Sequence, residues 1–181
     1  MCVRSWNTCS SRSNRMSAER FFHYVFLAGG LIGSENPALF GNPKPVAEAF
    51  CNQYRIRSIV TLTQEHDAYD ISGVARRHLP LPERFSREDL NQAFPIIDEA
   101  LARRTPIWVY CQRGMDRTGC LIGGYLVARG YNAEVVIHEL LRIFSRRVAS
   151  PDLARLWSDK IDLIRSYAQP GIRQSTTLWQ E

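Results

Sequence analysis

Apolar positions along this chain change period several times between the spacing of a strand and that of a helix. Phe22 to Leu27 and Leu31-Ile32 predict short strands separated at Gly29-Gly30, and Asn42 to Tyr54 predicts a helix entered through Pro43 and Pro45. The β-branched run Ile56 to Leu62 has the length and composition of a buried strand. Arg77 to Leu81 predicts a further extended piece, held by Pro80 and Pro82.

The second half reads the same way. Ser86-Arg87-Glu88-Asp89 has the form of a capping box ahead of an amphipathic stretch with Leu90, Phe94, Ile97, Ala100 and Leu101 at helical spacing; Pro95 falls inside it, so a kink is expected. Pro106 to Tyr110 predicts a buried strand, Arg117 to Ala128 a helix stopped at Gly130, and Asn132 caps a helix running to about Phe144. Ser150-Pro151-Asp152 opens a last helix predicted to reach Tyr167. Strands alternating with helices predict an α/β fold, with a central, mainly parallel sheet flanked by helices. Ligands in such sheets bind beyond the carboxyl ends of the strands, which is where the segment from Tyr110 to Arg117 falls.

A length of 181 residues fits one domain, placed at 21–168. Residues 1–20 are rich in Ser and Arg, nearly free of acids and without apolar periodicity, so they read as a disordered leader; a targeting segment or initiation at Met16 are the alternatives. Residues 169–181 read as a loose tail. No apolar run approaches the ~18 residues of a membrane span. The formal charge of +5 is concentrated at the start, where Arg4, Arg12, Arg15 and Arg20 face only Glu19. Without a basic block or an aromatic ladder among basic residues, nucleic acid is not an expected partner.

The five cysteines have no regular spacing and no zinc pattern with the histidines, so neither a disulfide framework nor a structural metal is expected. A reducing, cytoplasmic setting follows from that usage. Cys51 and Cys120 read as small buried core residues.

The chemistry is concentrated in Tyr110-Cys111-Gln112-Arg113-Gly114-Met115-Asp116-Arg117-Thr118-Gly119, which runs from a buried strand through a short loop into a helix. Successive N–H groups in a curled loop form an anion-binding nest, the helix adds its positive end, and Gly114 permits the φ that such a curl needs. Into this site the sequence puts a thiol at the strand end and a guanidinium six residues later. The field that attracts phosphate also favours thiolate, which makes Cys111 a nucleophile, and the planar fork of Arg117 suits two phosphoryl oxygens.

These residues resemble the H-C-x5-R-[ST] signature of the cysteine-dependent protein tyrosine and dual-specificity phosphatases, with Tyr110, Cys111, Arg117 and Thr118 in the matching places. The likeness extends to Leu31-Ile32-Gly33 with Pro37, to Ile59-Val60-Thr61-Leu62, to His78-Leu79-Pro80-Leu81-Pro82 and to the helical finish, from about Phe21 to Tyr167. It implies the compact dual-specificity fold and hydrolysis of phosphomonoesters through a phosphocysteine, with no cofactor. Cys111 would attack, Gln112, Arg113, Gly114, Met115 and Asp116 would cradle the phosphoryl group with Arg117, and Thr118 would donate to the departing thiolate.

The general acid of such enzymes is an aspartate about thirty residues before the cysteine; here Glu83 stands 28 residues before Cys111 and takes the role. Asp116 is the competitor; Asp89 and Glu88 follow it, Asp89 being explained by the capping box. Tyr110 replaces the family's histidine, which points to a less acidic Cys111. The run Cys111 to Thr118 also resembles the C-x2-G-x-D-R-T loops of myotubularin-like lipid phosphatases. The expected substrate is a phosphoprotein, with a phosphoinositide or inositol phosphate as the alternative and an inactive phospho-binding module as the second. A monomer is expected.

Overall fold

The computed structural model describes residues 21–66, residues 69–169 and Ser175. The expected leader at 1–20 lies outside them. Five strands form one sheet: β1 (His23–Phe26), β2 (Leu31–Ser34), β3 (Ser58–Thr61), β4 (Ala75–His78) and β5 (Ile107–Tyr110). Their order is β1-β2-β5-β3-β4, antiparallel between β1 and β2 and parallel elsewhere, with Ile107 opposite both Leu31 and Ser58. This is the expected mainly parallel sheet, and β5, at its centre, is buried along its whole length.

The helices are α1 (Pro43–Tyr54), α2 (Arg87–Asn91), α3 (Phe94–Ala102), α4 (Asp116–Ala128), α5 (Ala133–Phe144), α6 (Leu153–Leu156) and α7 (Ser158–Arg165). Their starts follow the sequence signals. Asn42 accepts from Lys44 N at 3.3 Å, Asn132 accepts from Glu134 N at 3.0 Å, and Ser86 and Asp89 close a reciprocal capping box.

Three expectations need correction. Pro95 does not kink one helix; it sits in the first turn of a second helix, α3, where its missing N–H costs nothing. The last helix is interrupted at Trp157, which leaves helical geometry at φ −107° and buries its indole. Ser150 accepts from Asp152 N at 3.3 Å, but α6 begins only at Leu153. The strand expected at Arg77 to Leu81 begins earlier, at Ala75, and ends at His78. Pro80 and Pro82 have no N–H to give a ladder, and an edge strand reading Ala-Arg-Arg-His carries no apolar signal.

Side chains alternate across β5. Trp108 and Tyr110 face Phe50 and Cys51 of α1, with Ile32 and Ile59, while Ile107 and Val109 face the other helices with Leu31 and Val60. On that second face α4 is buried from Thr118 to Val127, so it is a core helix rather than an amphipathic surface one. Its glycines let neighbours approach closely: Gly119 lies under Phe144 and Trp157, Gly123 under Ile164 and Leu140, Gly124 under Tyr167.

Within the tail expected to be loose, Ser175 exchanges backbone bonds with Gly130 O (2.8 Å) and Asn132 N (2.9 Å). Among the described residues no helix is long and apolar enough to cross a membrane.

Gly123 gives a direct test of this packing. A Cβ there would stand 2.7 Å from Ile164 Cδ1 and 3.0 Å from Leu140 Cδ1. Those methyl tips can yield to one methyl group but not to a branched side chain. Gly123→Val is expected to lose about 2 kcal/mol in urea denaturation, overpacking exceeding the gain in helix propensity.

Candidate active site

Cys111 follows directly from β5 and is 2% exposed, packed on the α4 side of the sheet with Val109, Met115 and Cys120. The chain then curls through Gln112 to Met115 and enters α4 at Asp116. Gly114 takes φ +69°, and a Cβ there would lie 2.4 to 2.6 Å from the backbone of Ser34 and Glu35. The loop therefore rides on the segment that follows β2, at a separation only glycine allows. Two of its carbonyls are drawn onto that wall: Tyr24 Oη donates to Gly114 O at 2.9 Å, and Asn36 N donates to Gln112 O at 3.2 Å. The N–H groups of Gln112, Arg113, Gly114 and Met115 donate to no protein acceptor among the described residues. Four free donors in a curled loop at a helix start are suited to an anion.

Arg117 is half-buried in the first turn of α4. Its Nη1 donates to Leu62 O (3.1 Å) and Leu81 O (3.3 Å), which leaves Nη2 and Nε for two oxygens of a ligand. Thr118 is fully buried and its Oγ1 makes no hydrogen bond among the described residues. A buried hydroxyl without a partner is costly unless a ligand or a charged neighbour uses it. Burial pushes the Cys120 thiol well above its ordinary range, with Asp116 next in effect, so it stays protonated as a core residue. Cys51 is likewise pushed up to about 12 by burial. Tyr24, fully buried beside the loop, is held well above its usual value by burial first and then by Cys111 and Cys120.

The candidate acids occupy different settings. Glu83 is exposed in the bend two residues after Leu81, whose carbonyl receives Arg117, so its loop is joined to the start of the helix that follows Cys111. Asp116 is also exposed, but its Oδ1 accepts from the Trp157 indole at 2.8 Å. Asp89 is engaged by Ser86 N at 2.7 Å, and that bond holds its carboxyl below the usual range. Glu88 is exposed on α2. Gln112 and Arg113 are exposed on the loop, and Met115 is buried beneath it.

Tyr110 does not face Cys111. It points to the α1 side, where its hydroxyl meets Tyr69 Oη at 2.8 Å and receives Arg76 Nη2 at 2.6 Å. His78 Nδ1 lies 2.8 Å from Thr61 Oγ1, a structural pairing.

Sequence reasoning missed Glu35. Its side chain is fully buried, accepts from Phe22 N at 2.7 Å and pairs with Arg147. Burial raises its pKa, opposed by the Phe22 N–H and the Arg147 guanidinium. In Gly-Ser-Glu-Asn it reads as a solvated turn residue, and nothing local distinguishes it.

The chain is similar to several known proteins. Residues 38–131, just over half of the chain, match the family described as Tc-R-P, polymorphic toxin system, DSP-PTPase phosphatase. The dual specificity protein phosphatase OPG106 of vaccinia virus is 23% identical over 116 residues, spanning 62% of this chain and 67% of the viral protein. Among solved structures, TpbA of P. aeruginosa superposes with a TM-score of 0.58 at 17% identity, covering 80% of this chain and 84% of that one. The core catalytic domain of the PP-IP phosphatase SIW14 from S. cerevisiae gives 0.59 at 19%, covering 83% and 87%. A five-stranded sheet with a cysteine loop after its central strand, in this company, defines a phosphatase of the protein tyrosine and dual-specificity class. The chain belongs to the DSP-PTPase phosphatase family of polymorphic toxin systems.

Because its added Cβ would strike backbone rather than a movable side chain, Gly114→Ala must displace the loop after Cys111. About a hundredfold loss in kcat/KM is expected with the fold retained by circular dichroism, since displacements near 1 Å cost that much.

Proposed function

We propose that this phosphatase hydrolyses phosphomonoesters of phosphoproteins, phosphotyrosine first, through a phosphocysteine on Cys111. The observation that carries the reading is the conjunction at one loop of a strand-end cysteine, four unbonded N–H groups, an Arg117 with two free donor nitrogens and an unpartnered Thr118 hydroxyl. The thiolate attacks phosphorus in line, the S–P bond forms and the ester O–P bond breaks, and the leaving oxygen takes a proton from Glu83. The loop amides and Arg117 hold the equatorial oxygens as charge shifts onto them. Water, deprotonated by Glu83, then cleaves the S–P bond and releases inorganic phosphate, while Thr118 donates to the departing thiolate. No step calls for a metal or cofactor. Free, unbridged Cys51, Cys111 and Cys120 support a reducing, cytoplasmic setting, and the reading takes the enzyme as a monomer.

A phosphoinositide or inositol phosphate is the second reading. Exposed Arg113 on the loop favours it, because a multiply phosphorylated ring offers a second anion to that arginine.

Phosphate release from phosphotyrosine and phosphothreonine peptides and from phosphoinositides, at matched concentration, tests the proposal. Peptide turnover that Cys111→Ser abolishes is the expected result. A strong lipid preference would promote the second reading, and no release from any substrate would make the chain a phospho-binding module. Glu83→Gln is expected to lower kcat about a hundredfold on peptides and to remove one limb of the pH profile; near-wild-type rates would transfer the role to Asp116.

A further inference from the structure

The strand that leads to Glu83 and the strand that leads to Cys111 are not neighbours. β4 is the sheet edge and β3 lies between it and β5, so no ladder hydrogen bond joins the two. Two side chains span the gap. Arg117 does so at the carboxyl end of the sheet, through Leu62 O after β3 and Leu81 O after β4. Arg76 does so on the α1 face: it belongs to β4, opposite Ile59, and its Nη2 reaches the hydroxyl of Tyr110, the last residue of β5, at 2.6 Å.

That second connection is built, not incidental. Tyr110 is fully buried and its ring packs tilted against Trp108, with 4.8 Å between centroids. Tyr69, 8% exposed, completes the cluster: its hydroxyl meets that of Tyr110, its ring lies 4.4 Å beneath the Arg76 guanidinium, and its carbonyl accepts from Arg76 Nη1. A planar guanidinium with one nitrogen on a carbonyl, another on a phenol and an aromatic ring under its face has little freedom to move. Arg76 lies two residues before His78-Leu79-Pro80-Leu81-Pro82-Glu83, and the two prolines stiffen the path from the strand to the acid.

We propose that Arg76 and Tyr110 are positioning residues that set the acid loop against the phosphate loop, so that the position where the family carries histidine serves proton delivery to the leaving group. Tyr110 points away from Cys111 and belongs to the edge-strand network instead. The proposal rests on the assignment of Glu83 as general acid. Neither side chain touches substrate; both act through the strand on which the acid loop is mounted.

Leaving-group dependence separates this role from general support of the core. A phenyl phosphate needs a proton on its departing oxygen, the phenol titrating near 10 as tyrosine does, whereas a nitrophenyl phosphate leaves as a stable anion. In Tyr110→Phe, kcat on phenyl phosphate is expected to fall at least about tenfold, with kcat on nitrophenyl phosphate within about twofold of wild type. Arg76→Lys is expected to show the same split, since the compact ammonium lacks the rigid fork by which two guanidinium nitrogens reach the Tyr69 carbonyl and the Tyr110 hydroxyl. Tyr69→Phe, which leaves the Arg76–Tyr110 bond in place, should leave both rates near wild type.

Glu83→Gln run alongside fixes the reference. If it shows the split while Tyr110→Phe and Arg76→Lys slow both substrates alike in step with a lower Tm, the two residues only stabilise the fold and the proposal is overturned. It is equally overturned if Glu83→Gln shows no split, because the acid then lies elsewhere. Failure of wild type to release phosphate from either ester, unlike these outcomes, refutes the phosphatase reading itself.

Discussion

The loop after Cys111 keeps its curl because Gly114 lies close against the backbone of Ser34 and Glu35. Gly114 rests on the Ser34–Glu35 peptide with no room for a Cβ, and the carbonyls of Gln112 and Gly114 are pulled outward by Asn36 N and Tyr24 Oη. Amides cannot turn inward toward an anion unless their carbonyls are satisfied on the other side, since buried backbone polar groups need partners. The wall after β2 is therefore as much part of the site as the loop. It is fixed by β1 and β2 pairing, by Trp108 Nε1 donating to Ser34 Oγ at 2.7 Å, and by Glu35.

Glu35 shows the cost of that wall. A carboxylate with no exposure loses its hydration, and this one recovers it from the Phe22 N–H and from Arg147 in the turn after α5. Arg147 also lies 5.3 Å over the Phe22 ring, so one guanidinium ties the start of the first strand, the wall and the end of α5. Such a pair adds little net stability against an apolar substitute, but loss of one partner leaves a buried charge. On the other side, the Trp157 indole reaches Asp116 from the break between α6 and α7. The helical finish of the chain thus braces the loop from behind, which explains why Gly119 must stay small beneath Phe144 and Trp157.

Much of this was legible in the residues themselves. Strand-loop-helix order around Cys111, the parallel sheet, the caps at Asn42, Ser86 and Asn132 and the glycine at 114 all rest on local rules: apolar period, capping chemistry and permitted φ act within a few residues of chain. These rules failed where the decisive partner lies far away in sequence. The edge strand Ala75–His78 has no apolar pattern because only one side of it is covered, and the helix break at Trp157 reflects an indole drawn toward Asp116, 41 residues away.

The sequence by itself determined the chemistry available to this protein: a thiol at a strand end, a guanidinium one loop later and a helix behind them, because spacing of that kind is set by covalent geometry. Tertiary structure decided what surrounds that chemistry. Glu35 became a buried wall residue, Tyr110 turned to Arg76 rather than to Cys111, and Arg117 took its anchors from Leu62 and Leu81. Each of these depends on contacts between segments tens of residues apart. Burial and pairing over such distances are set by how the layers pack, and no local pattern of residues encodes them.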